Sequence, residues 1–214
     1  MSLPRVLLAD DHTLVVEGFR RLLEDKCDLV GTVGDGRALL EAVSELKPDI
    51  IILDISMPVM NGIEAARRLK SKHPEVKIVF ITMHADPAYV RAAFKAGASA
   101  YLLKRSVGEE LSQALRAVDS GNYYVTPLVT REVIDGLLRG TDAAPSQGSE
   151  LTTRQREVLQ LLAEGHSVKE IAGMLTVSPR TVEFHKAQIM DQLNLHTTVE
   201  LVKYALAQGL TGHP

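Results

Sequence analysis

Three aspartates, a threonine and a lysine stand at the ends of short aliphatic runs. Asp10 and Asp11 close "RVLLADD", Asp54 closes "IIILD", Thr82 closes "VFIT" and Lys104 closes "AYLLK". Adjacent ionised carboxylates repel each other and are costly to desolvate unless a positive charge joins them. An alternative for the first pair is capping of the following helix, since Asp suits a helix N-terminus. If the runs are neighbouring parallel strands, all five residues meet at one sheet edge. Three carboxylates there call for a hard cation, and Mg²⁺ suits a site with few protein oxygens and several retained waters. A lysine and a hydroxyl facing that cation suit a phosphoryl group by charge and by hydrogen bonding. The chemistry implied is phosphoryl transfer to a carboxylate.

Apolar runs at 5–9, 29–33, 50–53, 76–81 and 99–103 are each followed by a helix-like stretch. This alternation predicts an α/β fold, a five-stranded, doubly wound parallel sheet whose ligands sit beyond the C-terminal strand ends. A further helix is expected over 128–138, and "RGTDAAPSQGSE", small and polar, reads as a linker. The boundaries expected are 1–125 for the first domain, 126–150 for a helix and linker, and 151–214 for a small all-α domain.

Three helix starts in the second half place a hydroxyl three residues before Gln or Glu: Thr152 and Gln155, Ser167 and Glu170, Thr197 and Glu200. In "SPRTVEFHKAQIMDQL", Ser178 is a good N-cap and Pro179 fits the first helical position. Helical spacing puts Val182, Ile189 and Leu193 on one face and leaves Arg180, Phe184, Ala187, Gln188 and Asp191 outward, with Glu183 on the flank. A major-groove helix can use such a face. Residues 151–214 hold six Lys or Arg against six Asp or Glu, so any DNA binding there rests on arrangement and not on bulk charge.

The first half resembles the receiver domain of two-component response regulators, matched by Asp10 and Asp11, Asp54 before "MPVMNG", Thr82 and Lys104. The second half resembles the LuxR-type helix-turn-helix, matched by "LTTRQREVLQLLAEG" and "KEIAGMLTVSPRTVEFHKAQIMDQL". Together they resemble transcriptional regulators of the NarL/FixJ type. The resemblance implies a flavodoxin-like receiver with Asp54 as phosphoacceptor and Mg²⁺ held by Asp11 and Asp54 with help from Asp10 and the Ser56 carbonyl. It also implies that Lys104 pairs with the phosphate and that Thr82 and Tyr101 form a switch. Pro58 and Gly62 would shape the loop after the acceptor. On the third helix of the second half, Glu183, Phe184 and Ala187 would approach bases, with Lys186 and Thr181 near phosphates. Glu183 stands where many relatives carry a basic residue. The implied partners are a sensor histidine kinase, a double-stranded DNA operator and a second copy of the phosphorylated chain.

Two other readings fit part of the pattern: a Mg²⁺-dependent phosphohydrolase with an aspartate nucleophile, and a helical module that docks protein and not DNA. The first fits poorly, because haloacid dehalogenase-type enzymes usually keep their acids two apart after the first strand, whereas here the acids are adjacent. The composition is 45% apolar, ample for packed cores, and no apolar run approaches the ~18 residues of a membrane span. The N-terminus lacks a signal-peptide pattern, and the single cysteine, Cys27, suits a reducing compartment, so a cytoplasmic, membrane-free protein is expected. His12, His73 and His84 show no metal-ligand spacing and read as surface or loop residues.

Overall fold

The computed structural model describes residues 3–138, 151–207 and 210. The expected linker, 139–150, lies outside the described residues. The chain divides into two compact units, residues 1–141 and 142–214.

In the first unit, strands β1 (Arg5–Ala9), β2 (Asp28–Val33), β3 (Ile50–Leu53), β4 (Lys77–Thr82), β5 (Ala100–Leu103) and β6 (Tyr124–Val125) form one parallel sheet in the order β2-β1-β3-β4-β5-β6. Helices α1 (Thr13–Leu23), α2 (Gly36–Leu46), α3 (Gly62–Lys72), α4 (Pro87–Lys95) and α5 (Val107–Asp119) connect the strands, and α6 (Pro127–Leu138) follows β6. Successive side chains of a strand face opposite ways. Leu7 and Ala9 of β1 therefore join Leu53, Phe80 and Tyr101 in one buried cluster, while Val6 and Leu8 join Ile52, Ile81 and Leu102 in another. With both faces covered, no position of β3 is left for a polar residue, and all four of its side chains are buried.

The sheet has six strands, not the five expected. β6 is two residues long, bounded by Gly121 at φ +80° and by Pro127, and two residues give no alternation to read. The chain order turns back between β1 and β3, so the crevice above their C-terminal ends is where a parallel sheet of this type accepts ligands.

The second unit is helical: α7 (Thr153–Ala163), α8 (Val168–Leu175), α9 (Pro179–Gln192) and α10 (Thr198–Ala207) enclose a core including Val158, Leu162, Ile171, Leu175, Val182, Ile189, Leu201 and Ala205. All three expected capping boxes form. Thr152 with Gln155 and Ser167 with Glu170 bond reciprocally. The amide of Glu200 donates to Thr197 Oγ1 at 3.2 Å, and the amide of Thr197 donates back to Glu200 Oε2 at 3.1 Å. Each box satisfies two helix-end donors, which matters in a module with little core to spare.

Candidate functional site

β1, β3, β4 and β5 deliver Asp10, Asp54, Thr82 and Lys104 to one edge of the sheet, because the four strands are adjacent, parallel and in register at their ends. Lys104 Nζ lies 2.7 Å from Asp10 Oδ2 and donates to Asp54 Oδ2 at 2.8 Å. The second oxygen of Asp54 accepts from its neighbour's amide, Ile55, at 2.7 Å. Both carboxylates are buried, Asp11 is exposed, and Thr82 is fully buried. Neither acid caps α1: the N-cap residue is His12, which makes no side-chain cap bond, and Asp10 Oδ1 accepts the amide of His12 itself at 2.9 Å.

The electrostatics follow from burial and sign. Burial pushes the Asp54 carboxyl above the usual range, Lys104 pulls it back, and Asp10 adds to the rise. Burial alone would lower the Lys104 ammonium, but Asp54 and Asp10 outweigh it and hold it above its ordinary value. One lysine thus faces two buried carboxylates with a third acid close by, an excess of negative charge suited to a cation. Asp10, Asp11, His12 and Asp54 each offer one ligand atom, and these atoms lie within 4.8 Å of one another. The oxygen-rich donor set fits a hard divalent ion such as Mg²⁺.

Two histidines were missed by sequence reasoning. The His12 ring sits on the acids, its Nδ1 2.9 Å from Asp11 Oδ1 and 3.2 Å from Asp10 Oδ1; adjacency to the acid pair was its only signal. His84 ties Ser56 to Thr82 and Tyr101. Its Nε2 pairs with Ser56 Oγ at 2.8 Å, its amide donates to Thr82 Oγ1 at 3.3 Å, and its carbonyl accepts from Tyr101 Oη at 2.8 Å. Its ring stacks on Tyr89, with centroids 4.0 Å apart. Tyr101 is fully buried, and burial followed by Tyr89 and Asp86 pushes its phenol far above the usual range. No periodic pattern marks His84, because its partners come from three separate strand ends.

The loop after Asp54 carries its own constraints. Val59 adopts φ +66°, a left-handed conformation rare for a β-branched residue, and Pro58 precedes it. A Cβ on Gly62 would lie 2.0 Å from the Asp54 carbonyl oxygen, so only glycine permits this approach. Gly62→Ala should displace the Asp54 backbone and cost about 1–3 kcal/mol, as overpacking does. A thermal melt together with phosphodonor labelling checks this: a wild-type midpoint and rate would show that the loop yields without cost.

In the second unit, α8, the turn through Thr176 at φ +55°, and α9 form a helix-turn-helix. Ser178 Oγ accepts from the Thr181 amide at 3.1 Å, as expected of the N-cap, and Pro179 is the first helical residue. Val182 and Ile189 are buried, Thr181 and Lys186 are half-buried, and Arg180, Glu183, Phe184, Ala187, Gln188 and Asp191 are exposed. Phe184 is 59% exposed, which core packing does not explain.

The response regulator receiver domain family matches residues 6–116, and the luxR family of bacterial regulatory proteins matches residues 149–205. The chain is 36% identical over 213 residues to the oxygen regulatory protein NreC of Staphylococcus carnosus, covering 96% of this chain and 98% of the relative. It is 34% identical over 221 residues to the transcriptional regulatory protein DegU of Brevibacillus brevis, covering 96% and 94%. Among solved structures, the RcsB response regulator of Salmonella typhimurium aligns over 97% of this chain and 100% of its own, with 29% identity and a TM-score of 0.61. With both halves matched in order and relatives aligned nearly end to end, the chain belongs to the DNA-binding transcriptional response regulators of two-component systems, a receiver domain followed by a LuxR-type helix-turn-helix.

Proposed function

We propose that Asp54 is the phosphoacceptor and that its phosphorylation controls DNA binding by residues 151–214. The observation that carries this is the convergence of Asp10, Asp54 and Lys104 within hydrogen-bonding distance at the strand ends. Asp11, Asp54 and the Ser56 carbonyl would hold Mg²⁺, with Asp10 assisting. Bound there, the ion would offset the charge of the incoming phosphoryl group. Asp54 Oδ2 attacks phosphorus, the bond from phosphorus to the donor's histidine nitrogen or acyl oxygen breaks, and the leaving group takes up a proton as its own pKa dictates. Lys104 leaves Asp54 Oδ2 and pairs with a phosphoryl oxygen, staying bonded to Asp10. The Thr82 hydroxyl turns toward another phosphoryl oxygen and gives up the His84 amide, which frees the loop that receives the Tyr101 hydroxyl. The donor is a sensor histidine kinase or a small acyl phosphate. The chain is a stoichiometric acceptor and not a turnover enzyme. It acts in the cytoplasm; among the described residues no helix is long and apolar enough to cross a membrane.

The exposed face of α9 enters the major groove of an operator. Glu183, Phe184 and Ala187 approach bases, Arg180 and Gln188 flank them, and Lys186 and Thr181 lie near phosphates. RcsB dimers have been seen bound to DNA, and a dimer of the phosphorylated chain on paired half-sites is the corresponding assembly here. Binding-site selection with the phosphorylated chain tests the reading. A defined site with two spaced half-sites supports it, and failure to enrich any sequence contradicts it.

Glu183 should contribute to base choice and little to raw affinity, because a groove carboxylate is repelled by phosphates yet can accept from cytosine N4. Selection with Glu183→Ala should relax preference at one base pair per half-site, a discrimination of roughly 1–3 kcal/mol. Lys186→Ala should weaken all sequences alike and flatten the salt dependence. An unchanged, equally sharp site with Glu183→Ala would make residue 183 a solvated charge outside the groove.

A further inference from the structure

β6 and α6 lie beyond the five βα units, yet they are bonded directly to the switch residue. The Thr126 amide donates to the Tyr101 carbonyl at 2.9 Å, and Tyr101 is paired with Val125 across the sheet. The Thr126 carbonyl in turn accepts from Thr130 Oγ1, in the first turn of α6, at 2.9 Å. A two-residue edge strand has almost no ladder of its own, so something else must fix it. That anchor is Glu110 of α5. One carboxylate oxygen accepts from Thr126 Oγ1 at 2.8 Å and the other from Tyr124 Oη at 3.2 Å. Thr126 is fully buried, whereas Glu110 is half-buried. Beyond the clamp, α6 seats buried Val129 and half-buried Val133 on the cluster that holds Tyr89, Val90 and Tyr101. The helix that leads in sequence toward the DNA-binding unit therefore packs on the same cluster as the tyrosines that His84 contacts.

The geometry points to Glu110 as a positioning residue of the switch: by clamping Tyr124 and Thr126 it couples the packing of Tyr101 to α6, and through α6 to residues 151–214. This rests on the phosphoacceptor reading of Asp54. When phosphorylation removes the His84 carbonyl from the Tyr101 hydroxyl, the Tyr101 ring is released to repack under α6. A clamped β6 transmits that repacking to α6, and an unclamped one absorbs it by slipping along an edge where it has few bonds to lose. Coupling between sites requires an element both can bias. β6 with α6 is such an element.

The test uses the full-length chain and two readouts: phosphoryl stoichiometry at Asp54, and the ratio of operator affinity with and without an acyl-phosphate donor. Glu110→Ala should label like wild type, since Glu110 touches none of the acid cluster, while the affinity ratio falls toward one from a wild-type value on the order of tenfold. Thr126→Val, which keeps shape and removes the hydroxyl donor, should lose the same ratio, and Thr126→Ser should restore it. Hydrogen exchange at the Thr126 amide should respond to phosphorylation in wild type and not in Glu110→Ala. A folded Glu110→Ala chain that labels fully and keeps the wild-type ratio overturns the coupling role alone. Absence of labelling in the wild type would overturn the phosphoacceptor reading and, with it, this one.

Discussion

Incubated with a small acyl phosphate and Mg²⁺, the wild-type chain should take up one phosphoryl group, and Asp54→Ala should take up none. Asp54 Oδ2 accepts from Lys104 while its other oxygen is held by the Ile55 amide, so one oxygen is fixed and the other aimed. Asp10 shares Lys104 and a backbone amide, but its Oδ1 also faces the His12 ring at 3.2 Å, and Asp11 is exposed beside that ring. Chelation should stop labelling of the wild type, because an incoming phosphate otherwise meets three carboxylates compensated by one lysine. Intact-mass measurement reads both results, and undiminished labelling of Asp54→Ala would move the acceptor elsewhere. A companion effect concerns stability. Burial raises the Asp54 carboxyl in the folded state, so its contribution is present below the ordinary carboxylate pKa and is lost as pH rises through the raised one. Mg²⁺ should recover part of that loss at neutral pH by binding only the folded chain.

Ala205→Asp should unfold the second unit. Ala205 is 0% exposed and packs with Leu201 and Val158, and an uncompensated charge buried there costs roughly 3–5 kcal/mol. A module of this size has little stability to lose. A stripe of Val202, Ala205 and Leu206 on α10 reads from the sequence either as a dimer face or as closure of the module's core, and at Ala205, which faces inward, the structure has the core. The surface that remains is Val199, 64% exposed, with half-buried Val202 and Leu206 on the same side. Val199→Asp should therefore leave the fold intact and weaken the DNA-bound dimer. Circular dichroism and sedimentation separate the two variants: a folded, monomeric Ala205→Asp would restore residue 205 to the interface.

What could be read from the sequence follows from the physics of each element. Strands buried on both faces must be aliphatic throughout, so β1, β3, β4 and β5 were found within a residue of their ends, and the chemistry at those ends came with them. Capping boxes are local and fixed in spacing, so all three were legible. Cross-element contacts were not: His84 meets Ser56 and Tyr101 only after β3, β4 and β5 align, and Glu110 meets β6, a strand too short to announce itself. The inward turn of Ala205 was hidden for another reason. α10 is apolar at so many positions, "TVELVKYALA", that helical spacing alone allows more than one buried face.

Whether the state of Asp54 governs DNA binding can be read in one titration. A selected operator is titrated with the wild-type chain and with Asp54→Ala, each with and without acyl phosphate and Mg²⁺. The wild type should gain affinity by about 5–150-fold on phosphorylation, the usual span of coupling between two sites, and Asp54→Ala should show no change. Equal affinity of the fully phosphorylated and unphosphorylated wild type, or an undiminished gain in Asp54→Ala, would contradict the account.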